Sequence, residues 1–226
     1  MAKRSSHEVP TSVAAFCQRL SPRVRAALPR WEWTWRPEWR FPREEFQRRL
    51  ADKGIPEWPF LWPLEEAFAG VVVRIAWEDL KFGITTALPY TKREEIVDEH
   101  DQIRFVPIAD WGNDELFVDA TGRVYLRREP GAFTAIDVSF ESFLEDQAMS
   151  LSFIGWCPTS FTTYFLPKTV ASALAESRGV LAVVESSNEF HRWWRDDSIT
   201  LFEGPKRGSR GGLWAKTLTG LVEAID

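Results

Sequence analysis

The residue types best suited to chemistry in this chain are carboxylates set side by side. Glu65–Glu66, Glu94–Glu95 and Asp196–Asp197 each offer two acids, the pairing that general acid and base work requires. Adjacent side chains point apart, however, so such pairs read as solvated acids rather than as a catalytic couple. Asp98–Glu99–His100–Asp101 has donors for a cation, yet a charged, solvated turn explains it better. His7, His100 and His191 lie far apart, and none sits in an HExxH or similar metal spacing. There is no GxSxG elbow. In RGGLWAKT, Lys216–Thr217 fits a phosphate loop, but Arg210 and Ala215 stand where glycines are needed. Without those glycines the backbone amides cannot wrap a phosphate. The sequence therefore predicts no catalytic residue, no metal site and no cofactor.

The chain carries 12 tryptophans. Trp31, Trp33 and Trp35 alternate with polar residues at strand period, with Trp39 following. They would form either a stacking platform for sugar or single-stranded nucleic acid or, the better reading, a packed face, since each indole buries so much area. Trp193–Trp194, flanked by Arg192 and Arg195, poses the same choice on an expected helix, with one ring in the core and one a surface anchor. The Lys206–Arg210 loop is basic, but its few charges support only weak phosphate contact.

Composition narrows the class. At 44% hydrophobic and 27% charged, 226 residues can bury a core, so disorder is not expected. The basic N-terminus has no apolar run behind it, and Ala67–Val73 is far shorter than a membrane helix. Cys17 and Cys157 are expected to be reduced and buried, in a cytoplasmic protein. The net charge of −5 is unevenly spread. Residues 1–60 carry 12 bases and 7 acids, residues 61–150 carry 8 and 18, and residues 151–226 carry 8 and 8. A segment with a net of −10 would either repel nucleic acid and draw a basic protein towards it or form a solvated face that keeps the protein soluble.

The elements that would position these groups follow from periodicity. Val13–Leu28 reads as a helix broken near Pro22. A helix opens at Pro42 and stops at Gly54, with Glu44–Arg48 and Glu45–Arg49 pairs outside and Phe46 and Leu50 inside. Pro56, Pro59 and Pro63 mark a loop, followed by a short helix over Leu64–Ala69. Val71–Ile75 is a central strand and Leu80–Ile84 its partner. Thr91–Glu94 has capping-box spacing. Arg104–Ile108, Glu115–Asp119 and Arg123–Arg127 form an antiparallel meander with a turn at Gly122. A strand over Thr134–Asp137 precedes a helix over Ser139–Gln147, with Phe140, Phe143 and Leu144 facing inward. Beyond lie a helix over Thr169–Glu176, a buried strand over Val180–Val184, a capping box at Ser186–Glu189, a strand over Ile199–Phe202 and a helix over Leu213–Ile225. This is an α+β class: an antiparallel β-meander with flanking helices in one globular domain. It would comprise an elaboration over 1–60, a core over 61–150 and an extension over 151–226 packed on the core.

One series of motifs has a recognisable order. Phe82–Gly83 follows a strand, then come Glu94–Glu95–Ile96, a strand over Val106–Ala109, the turn Trp111–Gly112–Asn113–Asp114, and Leu116–Asp119. Thr121–Gly122, Val124–Tyr125 and Ser139–Phe140–Glu141–Ser142–Phe143–Leu144 complete it. From Leu80 to Gln147 the chain resembles the SUKH superfamily. The resemblance implies an α+β protein without enzymatic activity, often an immunity protein that binds a cognate bacterial toxin, frequently a nuclease, and blocks it sterically. Other members are regulatory binding modules. With the charge pattern, the expected partner is a basic protein toxin, not nucleic acid or membrane. The expected contact residues are Glu94, Glu95, Asp98, Glu99, Asp101, Asp110, Trp111, Asp114, Glu115 and Asp119.

Overall fold

Antiparallel strands with helices packed on them make up an α+β fold. The computed structural model of the protein describes residues 5–6, 8–36, 40–52, 54–75, 78–82, 104–111, 114–127, 133–154, 162–195, 199–203 and 210–215. The chain divides into two compact units, residues 1–135 and 136–226. Neither residue 60/61 nor residue 150/151 marks a break. The tryptophan strand pairs with a strand beyond residue 60, and a helix runs through residue 150.

In the first unit, helices α1 (Thr11–Cys17) and α2 (Pro22–Ala27) replace one broken helix. Pro22 takes the first position of α2, where no N–H is needed, and the Ser21 hydroxyl accepts from Val24 N. Strand β1 (Ser5–Ser6) pairs with β2 (Glu32–Trp35). Helix α3 (Arg43–Asp52) ends at left-handed Gly54, which lets the Ile55 N–H reach the Leu50 carbonyl at 2.9 Å. Its expected Glu45–Arg49 pair forms at 2.7 Å, while Arg48 turns to Glu45 and Asp52. Helix α4 (Leu61–Phe68) begins earlier than expected and contains Pro63. The first turn tolerates proline because its N–H groups have no intrahelical acceptor.

The strands β3 (Val71–Ile75), β4 (Glu78–Phe82), β5 (Val106–Trp111), β6 (Asp114–Val118), β7 (Val124–Arg127) and β8 (Phe133–Asp137) follow β2 in strict sequence order across one antiparallel sheet. Trp33, Val73 and Leu80 lie opposite one another across β2–β4, and all are buried. Phe82, Ala109, Leu116 and Leu126 continue that row type towards β7. Phe68 of α4 joins this layer, 4.9 Å from Phe82 and 5.2 Å from Phe16 of α1. The indole N–H of Trp33 donates to the Leu28 carbonyl at 2.9 Å. The tryptophan run is thus largely core, with Trp35 left 40% exposed.

In the second unit, α5 (Phe140–Ile154) starts at Ser139, whose hydroxyl accepts from Ser142 N. Phe140, Phe143 and Leu144 are buried, as their spacing requires. Strands β9 (Thr162–Pro167), β10 (Arg192–Arg195), β11 (Ile199–Glu203) and β12 (Arg210–Ala215) form a second antiparallel sheet in the order β10-β11-β12-β9, with α6 (Lys168–Arg178) packed on it.

Three expectations fail here. Arg192–Arg195 is a strand, not a helix, because its two indoles bury on opposite faces. Trp193 meets Met149 and Phe202, whereas Trp194 joins Ala171, Leu174 and Leu201. A period of two separates them in a way that a helix cannot. Neither ring is a surface anchor. Val180–Val184 is not a buried strand: Leu181 is 78% and Val184 76% exposed, and only Ala182 bridges to Trp194. Leu213–Ala215 belongs to β12 rather than to a helix, since Leu213 pairs with Leu201. The expected elements over 83–103 and 216–225 lie outside the described residues.

The contrast between two strand neighbours is testable. Trp33→Ala should cost about 3–5 kcal/mol in chemical denaturation, the range for a buried aromatic, whereas Trp35→Ala should cost well under half of that. Equal losses would refute the assigned register.

Candidate functional site

Glu94, Glu95, Asp98, Glu99 and Asp101 lie outside the described residues. Asp110, Trp111, Asp114 and Glu115 are brought together at one end of the β5–β6 hairpin, where Asp110 faces Glu115 and Trp111 faces Asp114. Two acids directly opposite would repel. The sheet answers with a row across four strands. Lys81 is in register with Asp110, and Arg127 with Glu115, so the order is base, acid, acid, base. Arg127 closes on Glu115 at 2.6 Å and lies over the Phe117 ring at 4.7 Å. Glu115 is thus paired within the sheet; it, Asp110, Trp111 and Asp114 are all at intermediate exposure.

Asp119 is separated from that tip by the length of β6 and is buried. One carboxylate oxygen accepts from Thr121 N at 2.8 Å, the Thr121 hydroxyl at 2.6 Å and Arg123 N at 3.2 Å, and the other accepts from the Tyr125 hydroxyl at 2.9 Å. It builds the hairpin around left-handed Gly122 and has no oxygen to offer a partner. Its place among the contact residues is corrected accordingly.

A group that the sequence reading missed lies in the second unit. Asp137 ends β8, Ser142 and Asp146 lie one turn apart on α5, and Asn188 and His191 flank a turn before β10. The expected capping box at Ser186–Glu189 is that turn. Asn188 Oδ1 accepts from Phe190 N and His191 N, and the Ser187 hydroxyl accepts from Trp193 N, so these side chains cap a loop instead of a helix. Nε2 of His191 sits 3.5 Å from Asp137 Oδ2 and 3.7 Å from Asp146 Oδ1. Asn188 Nδ2 lies 2.9 Å from both Asp137 Oδ1 and the Ser142 hydroxyl, and the Trp193 indole donates to Asp146 at 2.8 Å. Asp137 Oδ2 has no hydrogen-bond partner among the described residues. The side chains of His191 and Asp137 are 3% and 1% exposed. The group ties the end of β8 and the turn before β10 to α5. Burial pushes the Asp137 carboxyl up to about 6, against the pull of His191. Burial raises Asp146 too. The Ser142–Asp146 spacing on one helix face was the available sequence signal; the His191 and Asp137 positions gave none.

Among the described residues no group of His, Cys, Asp and Glu side chains has metal-binding geometry, and no helix is long and apolar enough to cross a membrane. Cys17 is buried, and Cys157 lies outside the described residues. In the first unit a groove of about 860 Å³ opens between α1, α4 and the end of β2. Its charged lining is Glu8, Arg19, Arg40 and Glu66, and its aromatic lining is Phe16 and Trp35. No family model, no curated protein and no solved structure matches this chain.

Two outcomes test these networks. Asp119→Ala should lower stability by about 2–3 kcal/mol, because the buried donors around it lose their acceptor. For Asp137, the folded value lies above the usual 3.8. Its stabilisation is therefore complete below pH 3.8 and is lost as pH rises through about 6, a change on the order of 3 kcal/mol. Asp137→Asn should flatten the fall in unfolding free energy between pH 3.8 and about pH 6. Identical pH slopes in variant and parent would refute the role given to Asp137.

Proposed function

We propose that this chain works by binding a protein: it is an immunity-type protein that occupies a basic toxin domain, in the manner of the SUKH proteins it resembles, and obstructs it sterically. The observation that carries this reading is the charge distribution. Residues 61–150 hold 18 acids against 8 bases. Glu65, Asp119, Asp137 and Glu145 are buried, and acids still outnumber bases in the segment without them. The proposed contact residues are Asp110, Trp111 and Asp114 at the hairpin tip and, by charge in the sequence alone, the acids of Glu94–Asp101. Acids at that tip steer a basic partner into place, and a half-exposed tryptophan beside them is the residue type that anchors interfaces. Asp119 and Glu115 serve as scaffold behind it.

The test uses the tagged chain as bait in its native lysate, followed by binding kinetics with the captured partner. The expected partner is a basic protein whose isolated domain arrests growth, with growth restored when this chain is co-produced. Asp110→Asn combined with Asp114→Lys should lower the association rate about tenfold at low salt and reduce its salt dependence, with dissociation little changed. Glu115 is left in place because it pairs with Arg127. An unchanged association rate removes the hairpin tip from the interface. A host regulatory protein without toxicity, captured in the same way, assigns the chain to the regulatory binding modules instead.

A further inference from the structure

Trp35 stands out among the described residues. Trp31 and Trp33, its neighbours at strand period, are 2% and 1% exposed, whereas Trp35 keeps 40% of its surface open. The strand does not fray to produce this. Trp35 pairs in register with Val71, and Arg36 N continues the ladder to the Gly70 carbonyl at 2.8 Å. The backbone beneath the ring is held in the sheet, and the ring lines the groove. An exposed indole on an ordered strand presents a flat apolar face with a polar edge.

The other walls are also fixed. The Ser12 hydroxyl of α1 donates to the Ala67 carbonyl of α4 at 2.8 Å, which ties the two helices that flank the groove. Arg19 lies with its guanidinium carbon 4.1 Å from the centre of the Phe16 ring, which holds it over that wall of the groove. Glu66 comes from α4 and Arg40 from the segment before α3. The volume of about 860 Å³ falls within the range of about 300–1,000 Å³ for small-ligand sites.

The charges decide the ligand class. Glu8, Glu66, Arg19 and Arg40 line the groove, two carboxylates and two guanidinium groups, so its charged lining sums to zero. An anion placed here meets the carboxylates, and a cation meets the guanidinium groups. An uncharged molecule rich in hydroxyl groups satisfies both, since each hydroxyl donates to a carboxylate and accepts from a guanidinium fork. The same molecule needs an apolar face for Trp35, and the C–H face of a pyranose ring supplies it. We propose that this groove binds an uncharged oligosaccharide, with Trp35 as the stacking platform and Glu66 and Arg40 as hydroxyl readers. The site uses none of the residues assigned to the protein partner, so the two readings stand or fall separately.

The test is ligand-observed saturation-transfer NMR and calorimetry on the full chain. The probes are uncharged hexasaccharides of glucose and of N-acetylglucosamine, with a sulfated and an amino-sugar hexasaccharide as charged controls. The expected result is transfer to the sugar ring protons of at least one uncharged hexasaccharide and no tighter binding of either charged one. Trp35→Ala and Glu66→Gln should each weaken that affinity tenfold or more. Both positions are exposed, and an unchanged near-ultraviolet circular dichroism spectrum away from the lost indole verifies the fold. Asp110→Asn with Asp114→Lys should leave sugar binding unaltered. The proposal is overturned if no uncharged hexasaccharide binds, if a charged one binds more tightly, or if Trp35→Ala retains full affinity.

Discussion

A carboxylate taken out of water must be paired, hydrogen-bonded or neutral, and much of this protein is arranged to meet that condition. Asp119 meets it with a ring of donors from its own hairpin. Glu203 meets it with the Ser172 hydroxyl of α6, 2.7 Å away, which also holds that helix to β11. Asp137 and Asp146 meet it around His191, with burial lifting both carboxyls towards the protonated form. In each case an acid that looks like surface charge in the sequence becomes a joint between elements. The acidic character of the middle segment is consequently divided between scaffold and surface.

The aromatic residues obey a parallel rule. A large ring contributes most when fully covered, and its polar atom then needs an acceptor. Trp33 finds the Leu28 carbonyl and Trp193 finds Asp146. Phe105, Phe117, Tyr125 and Phe133 pack together along β5–β8, with Phe105 and Phe133 stacked at 4.0 Å and Arg127 over the edge of the group. That cluster fixes the last strands of the meander and sets the side chain that neutralises Glu115.

Function and fold are thus separable in this chain. The meander motifs, Asp119 with Gly122 and Ser139 with Phe143, perform structural duties. Around them lie the surface charge and the 40%-exposed Trp35, and it is on these features, not on the meander motifs, that the proposed recognition rests.

By itself the sequence determined the α+β class, the order of the meander strands, the breaks at Pro22 and Gly54, and the inward face of α5. These follow from local rules: proline removes a donor, glycine accepts positive φ, and hydrophobic period reports which face is buried. It also located the hairpin around Asp119, because a turn is built from neighbours. Tertiary structure alone decided the rest. Trp193–Trp194 became a strand because two apolar layers, one from α5 and one from α6, claim opposite faces of it. Of three tryptophans at the same period, burial took Trp31 and Trp33 and left Trp35 open. Asp137, Asp146 and His191 met across 54 residues of chain, with no shared motif to announce it. Local propensity acts over a few residues, whereas burial and charge pairing are settled by whatever the fold brings alongside.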